Sequence, residues 1–244
     1  MAKQGGMGDR LAIDEFNMSG NVASLSNVGG GPNPGIVTDI TQSGQSRIGL
    51  LLDGRLSAVT WFDPSTTVGA EGSHAILKTR PTADRIITYC IGATIGNPAA
   101  SLVSKQVNYD GSRGQDASYS HAVDALANGF GLEWGEQLTA GFRTDTAATN
   151  GASIDLGAVS TLFGAAAYAH VVSVAGTSVT LTIEDSADDV SFAAVTGLAF
   201  AAVAAGSGGK ERVATAATAT IRRYVRVASS GTFSSAIFLV NFVR

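Results

Sequence analysis

The sequence has little charge and almost no cysteine. Charged residues make up 15% of the 244 residues, well below the quarter usual in soluble domains. The formal charge is −4 and no run of Lys or Arg occurs, which argues against a protein that neutralises nucleic-acid phosphates. Cys90 is the single cysteine, so an intramolecular disulfide and a cysteine-based zinc site are both excluded. Residues 1–10, MAKQGGMGDR, lack the apolar core of a secretory signal. The most apolar long stretch, residues 156–174, is broken by Gly157 and Gly164, carries His170 and is rich in small residues. It is not read as membrane-spanning. These absences imply a protein made in the cytoplasm that stays soluble or assembles there.

Catalytic motifs are missing too. His74, His121 and His170 stand in no HxH or HExxH spacing, which favours structural or surface roles over metal ligation. There is no GxSxG elbow, so a hydrolase triad has no anchor. Gly206-Ser207-Gly208-Gly209-Lys210-Glu211 looks like a phosphate loop only superficially. Ala204 stands where the first glycine is required, and Glu211 replaces the hydroxyl that would hold magnesium. Gly29-Gly30-Gly31 lacks GxGxxG spacing and is followed by prolines, so it cannot open a dinucleotide-binding helix. Asp185, Asp188 and Asp189 lack EF-hand spacing and read as a turn that bonds its own backbone. Cys90 reads as an inert core thiol. Trp61 and Trp134 could stack a sugar ring, although burial or an interface is the commoner fate. No catalytic, cofactor-binding or metal-binding residue is assigned, and the chain is not expected to be an enzyme.

What the chain does have is 30 glycines and 45% hydrophobic residues, suited to short strands, tight turns and a surface covered by copies of itself. Its length suffices for one large domain or two small ones. Residues 46–64, SRIGLLLDGRLSAVTWFDP, are the organising stretch. Asp53-Gly54, flanked by apolar alternation, predicts a hairpin turn, because Gly tolerates positive φ. After it, Leu56, Ala58, Thr60 and Phe62 share one face, and Arg55, Ser57, Val59 and Trp61 the other. One face is apolar and the second only partly so, which implies protein on one side and a wetter environment on the other.

Upstream, strands are expected over 11–16 and 21–25, a loop over 29–35, and an extended run over 36–40. Residues 65–81 are the helix candidate, stopped by Pro81. RIITYCI at 85–91 predicts a buried strand. Strands over 100–109 and 117–127 flank a hairpin loop at 110–114, and 130–142 supplies another strand region. RTDTAATNGA at 143–152 is small and polar, like a domain boundary, and places the break near residue 150. Beyond it, strands over 167–174, 178–185, 211–216, 222–228 and 234–243 imply an antiparallel sandwich. Arg222, Arg223 and Arg226 charge both faces of one strand, which fits a solvated edge or a subunit contact rather than DNA binding. No internal repeat links the halves. The expected fold class is mainly β.

The order of the first 150 residues resembles the tail tube proteins of long-tailed bacteriophages. These have an N-terminal strand, a long loop, a hairpin reading like SRIGLLLDGRLSAVTWFDP, one helix, then long strands. GSHAILKTRPTADRIITYCIGATIGNPA and GFGLEWGEQLTAGFRTDTAATNGAS also resemble segments of such proteins, especially from phages of actinobacteria. The resemblance implies a β-sandwich or half-barrel over residues 1–150, with one short helix. Six copies would join their inner sheets into a ring, and rings would stack into a tube that DNA crosses without specific binding. It implies tape-measure, terminator and distal tail proteins as partners, and a place in the virion tail.

Residues 151–244 resemble the outward-facing antiparallel sandwich, Ig-like or jelly-roll-like, that some tail proteins carry. IEDSADDVSF looks like a turn of carbohydrate-binding-like sandwiches. Ring closure would pair strand edges that are otherwise a liability. An acidic, low-charge lumen would let DNA slide, and the polar arm at 1–9 and the 29–35 loop would order on stacking. The alternative expectation is a virion decoration or glycan-binding host-attachment protein.

Overall fold

The computed structural model describes residues 6–67, 70–79, 83–159 and 163–244, and is mainly β with one short helix. The first strands are β1 (Arg10–Ile13), β2 (Phe16–Asn17), β3 (Val22–Ile36) and β4 (Arg47–Trp61). A small pair, β5 (Thr66–Thr67) and β6 (Ala70–Glu71), precedes helix α1 (Ser73–Leu77). Then come β7 (Arg85–Cys90), β8 (Pro98–Gln106), β9 (Asp110–Arg113), β10 (Tyr119–Ala127) and β11 (Glu133–Gln137). Three short strands follow, β12 (Arg143–Asp145), β13 (Thr149–Asn150) and β14 (Ile154–Asp155). The last are β15 (Ala166–Ser186), β16 (Ala193–Ala199), β17 (Val203–Ala204), β18 (Gly209–Ala214) and β19 (Tyr224–Val243).

Antiparallel pairing in the order β3-β4-β10-β8-β7-β1 curls a half-barrel, with β9 continuing beside β10 and β2 beside β1. Its inside is lined by Leu11, Ile13, Leu56, Ala58, Ile87, Leu102 and Val123, and Ile76 and Leu77 of α1 pack into it. The RIITYC run of β7 is apolar without alternation because both of its faces are covered. Ile87 faces the half-barrel core, whereas Ile86 packs with Val103 and Tyr168 on the opposite side.

That opposite side meets a ribbon made by β15 and β19, paired over their whole length. β16, β17 and β18 line the free edge of β15, and β11 to β14 line the other edge of β19. Register shifts between residues 171 and 173 and between 175 and 178, around Gly176 (φ 127°), mark bulges, which bend a ribbon and sharpen its twist. Both ends then share one core, where Ala167 and Val171 meet Val179, Leu181 and Phe238. β8 also pairs with β11, so one sheet runs through both regions.

A buried chain of polar groups crosses between half-barrel and ribbon. His170 Nδ1 lies 2.6 Å from the Asp14 carbonyl and its Nε2 2.8 Å from Thr88 Oγ1. Thr88 bonds Ser101 at 2.8 Å, and Asn241 Nδ2 donates to Ser101 Oγ at 2.8 Å. Asp14, in the left-handed region at φ 56°, also takes Arg85 at 2.8 Å and Lys210 at 2.5 Å. Buried polar groups have to be partnered in this way.

Several sequence expectations are corrected. Residues 46–64 are no hairpin: β4 runs straight through Asp53-Gly54. Gly54 is required by close approach, since a Cβ there would lie 2.5 Å from the Leu132 amide nitrogen. The expected loop at 29–35 and the first residue of the 36–40 run belong to β3, whose partner is β4. Pro32 and Pro34 are tolerated because β3 is an edge strand. The helix expected over 65–81 shrinks to Ser73–Leu77, since Thr66 and Thr67 pair as strand with Ala70 and Glu71. Pro81, its expected stop, and residues 1–5 of the polar arm lie outside the described residues.

The expected loop at 110–114 is mostly β9, and the turn falls at 114–118. There Asp116 accepts the Ser118 amide at 3.0 Å and Ala117 takes φ 67°. The strands expected at 167–174 and 178–185 are one, β15, and those at 222–228 and 234–243 are β19, because Gly176 sits at a bulge rather than a turn and Gly231 pairs in register with Val179. Nor is 222–228 an edge. β19 is paired on both sides, and Arg222, Arg223 and Arg226 are engaged by Asp185, Asp155 and Glu184.

Candidate functional site: an unsupported β-ribbon

The β3–β4 ribbon leaves the half-barrel where β10 stops. β10 covers β4 only from Arg55 onward, so from Asp53 to Arg47 the ribbon projects with no third strand, roughly 20 Å at strand spacing. Gly30 and Gly54 face each other at its root, under Leu132. A side chain at either position would collide with the opposite backbone or with Leu132. Past that clamp both edges lack a partner among the described residues: β3 pairs only with β4, and residues 47–54 of β4 only with β3.

One face of β4 in this arm is wholly apolar, and on the other Leu51 stands among Arg47, Gly49 and Asp53. Ile48, Leu50 and Leu52 alternate with Leu51, and all are exposed, Leu51 by 83%. Ile36, Val37 and Ile40 extend the surface across the 37–46 connection, which is closed by the Val37 amide on the Ser46 carbonyl at 3.0 Å. Charge on the arm is limited to Asp39, Arg47 and Asp53. Burying one such Leu or Ile is worth about 1.5–3 kcal/mol, and an isolated two-stranded ribbon in water is marginal. An exposed apolar patch of this extent marks an interaction surface.

The residues singled out from the sequence fall elsewhere. His74 and His121 come together in an aromatic cluster. His74 Nδ1 is 2.9 Å from the Tyr109 hydroxyl, and Tyr109 stacks on His121 with centroids 4.1 Å apart. Phe62 and Tyr119 close the cluster. Burial, and then the neighbouring His74, lower the His121 pKa. His170 is remote from both. Full burial pulls its pKa down to about 4, against the opposing pull of the Asp14 carbonyl. Among the described residues no group of three or more His, Cys, Asp or Glu is placed to hold a metal. No described helix is long and apolar enough to cross a membrane.

Cys90 is fully buried and its thiol is pushed up to about 12, mainly by burial. Asp188 accepts the amides of Val190 and Ser191 at 3.0 and 2.8 Å, so it closes its own turn. The 206–211 segment leads into β18, not a helix, and Lys210 is spent on Asp14. Trp61 and Trp134 are both half-exposed. Sequence reasoning misses the arm because Gly and Pro in β3 read as turn formers. The signal that could have found it is Leu50-Leu51-Leu52, three large apolar residues in succession, which no half-buried strand can hide.

No family model and no curated protein matches the chain. Among solved structures, the chain is similar to the Dit (gp 19.1) protein of phage SPP1, described as a paradigm of hub adsorption apparatus in phages infecting Gram-positive hosts. The identity is 12% and the TM-score 0.37, over 97% of this chain and 99% of that one. It is also similar to a chain of the phage p2 baseplate in its activated conformation with Sr, with 9% identity and a TM-score of 0.35, over 97% and 98%. At these TM-scores neither likeness carries a function across.

Proposed function

We propose that the chain is a structural protein of a phage virion tail, and that it assembles into rings, stacked into a tube that conducts DNA, by strand addition at the β3–β4 arm. The arm carries this reading. Its two open edges are different, one from β3 and one from β4, so the β4 edge of one copy can pair with the β3 edge of the next. Such a head-to-tail contact closes into a ring if the rotation allows it, and pairing also removes the aggregation hazard of a bare edge. With so few charges on the arm, two copies meet without strong repulsion. The tail setting comes from the sequence resemblance described above. Residues 151–244 would sit outside the ring, and the acidic net charge suits a wall that DNA slides past.

The test is negative-stain electron microscopy and sedimentation velocity of the full-length protein at rising concentration, beside Leu51→Lys. Rings or tubes that the variant fails to form, at unchanged monomer stability, are the expected result. Persistent monomers under every condition, or trimers that the variant leaves intact, would overturn it and favour the decoration reading.

A further inference from the structure

A second open surface lies at β11, where the half-barrel meets the ribbon. Trp134 and Glu136 stand two residues apart on β11 and so point to the same side. With Pro98, Leu156, Phe242 and Arg244 they line a groove of about 320 Å³, at the low end of small-molecule sites. The indole is 49% exposed. Its neighbours on the strand show how unusual Glu136 is. Glu133 is fully engaged by Arg212 at 2.9 Å and by the Tyr168 hydroxyl, whereas the Glu136 carboxylate makes no hydrogen bond or ion pair with any described residue. Partial burial raises its pKa above the ordinary carboxylate value, against the attraction of Arg244. Every other described carboxylate with a resolved shift is lowered by its partners. Leaving a partly desolvated carboxylate unpaired gains the fold nothing. In a cleft it marks a binding site.

We infer that this groove binds a neutral pyranose, with one sugar face stacked on Trp134 and ring hydroxyls donating to Glu136. The chemistry selects that class. An exposed indole face takes the apolar CH side of a sugar, and an unpaired carboxylate accepts hydroxyl hydrogens. Phosphorylated or acidic ligands are disfavoured. Glu136 repels them, and the Arg244 guanidinium is already committed to the Ala158 and Leu156 carbonyls at 2.7 and 3.1 Å. The inference does not depend on ring formation.

It is tested on the full-length protein carrying Trp61→Phe, which leaves Trp134 as the single tryptophan. Maltohexaose, cellohexaose and chitohexaose are titrated while indole fluorescence is followed, and binding is repeated by calorimetry. A saturable change with at least one sugar is expected. Trp134→Ala should weaken it by at least about tenfold, Trp134→Phe should retain most of it, and Glu136→Gln should weaken it with thermal stability unchanged. No saturable response to any of the three sugars would overturn the inference. So would binding that survives Trp134→Ala, or a Trp134→Ala variant that changes only the sedimentation of the protein, which would assign the groove to contact between copies.

Discussion

The molecule contains two long β-ribbons, one of strands of 21 and 20 residues and one of strands of 15 each, that differ in almost every respect. β15–β19 has strands on both edges and a core against its inner face, and its outer face packs on β7 and β8. Among the described residues, β3–β4 has neither in its outer half. The first is rich in Val, Leu, Ile and Phe where it is buried. The second carries Gly29, Gly30, Gly31, Pro32, Pro34 and Gly35 on one strand and a leucine run on the other. One ribbon is completed by its own chain. The other is left incomplete among the described residues, with its apolar side chains exposed.

Substitutions can break this contrast. In the buried ribbon, Leu181→Ala should cost about 2–5 kcal/mol, by lost transfer energy and cavity formation, read as a fall in the urea midpoint. Asp14→Ala, which strands the buried Arg85 guanidinium, should cost about 3–5 kcal/mol in the same measurement. A Leu181→Ala variant within experimental error of wild type would mean that the ribbon's own core is not close-packed. An Asp14→Ala variant within error would mean that the join between half-barrel and ribbon is not as closed as its hydrogen bonds imply.

Acid should loosen the same join. His170 is held neutral in the folded state, with its pKa pulled down to about 4, below the ordinary imidazole value of about 6.5. The unfolded chain therefore binds the proton more readily. Stability is complete above about pH 6.5 and drains as pH falls from there towards 4, by about 3 kcal/mol in total. Urea melts at pH 7, 5.5 and 4.5 measure the slope, and His170→Gln should flatten it. An unchanged slope in that variant would place the acid sensitivity elsewhere.

At the arm the effects should be smaller and differently distributed. Gly54→Val drives a side chain into Leu132 and should cost about 1–3 kcal/mol as overpacking. Hydrogen exchange should quicken at the root of the arm and not in β15. Leu51→Lys should change monomer stability by no more than about 0.5 kcal/mol while removing assembly. A large destabilisation of the monomer by that variant would mean the arm is folded against its own molecule.

Much of the fold was legible, and the misreadings share one cause. β7 was plain because RIITYC is β-branched, aromatic and covered on both faces. The short β10 showed its alternation, with Val123 and Ala125 buried between more exposed neighbours. Glycine misled wherever it serves close approach or a bulge instead of a turn. Gly54 sits under Leu132, Gly176 offsets the register of a continuous ribbon, and Gly231 lies close against the Ser178 carbonyl, yet in the sequence all three look like punctuation. The helix was overdrawn for a related reason. Residues 65–81 hold few strand formers, but five helical residues suffice to bring Ile76 and Leu77 into the core. As for the candidate site, the sequence showed a partly apolar second face on residues 55–62 and the low charge. It did not show that the strand runs on past residue 53 without cover, because that depends on where β10 ends.

The position of β19 also sets the order in which the molecule can be built. Among the described residues, β11 to β14 hydrogen-bond to it and not to one another, and their partners lie 69 (Asp155–Tyr224) to 106 (Glu136–Phe242) positions further along the chain, the kind of separation that slows folding. During synthesis β12 to β14 must wait, unpaired, until residues 224–243 have left the ribosome, and β11 has only β8 to pair with until then. The arm, by contrast, is complete once residue 61 has been made, and its β3–β4 pairing is local. The stickiest surface therefore forms first and the mortar of the second region last. That sequence of events exposes nascent chains on one polysome to premature edge pairing, and gives a cell expressing this protein a use for a chaperone that covers the arm until β19 is in place.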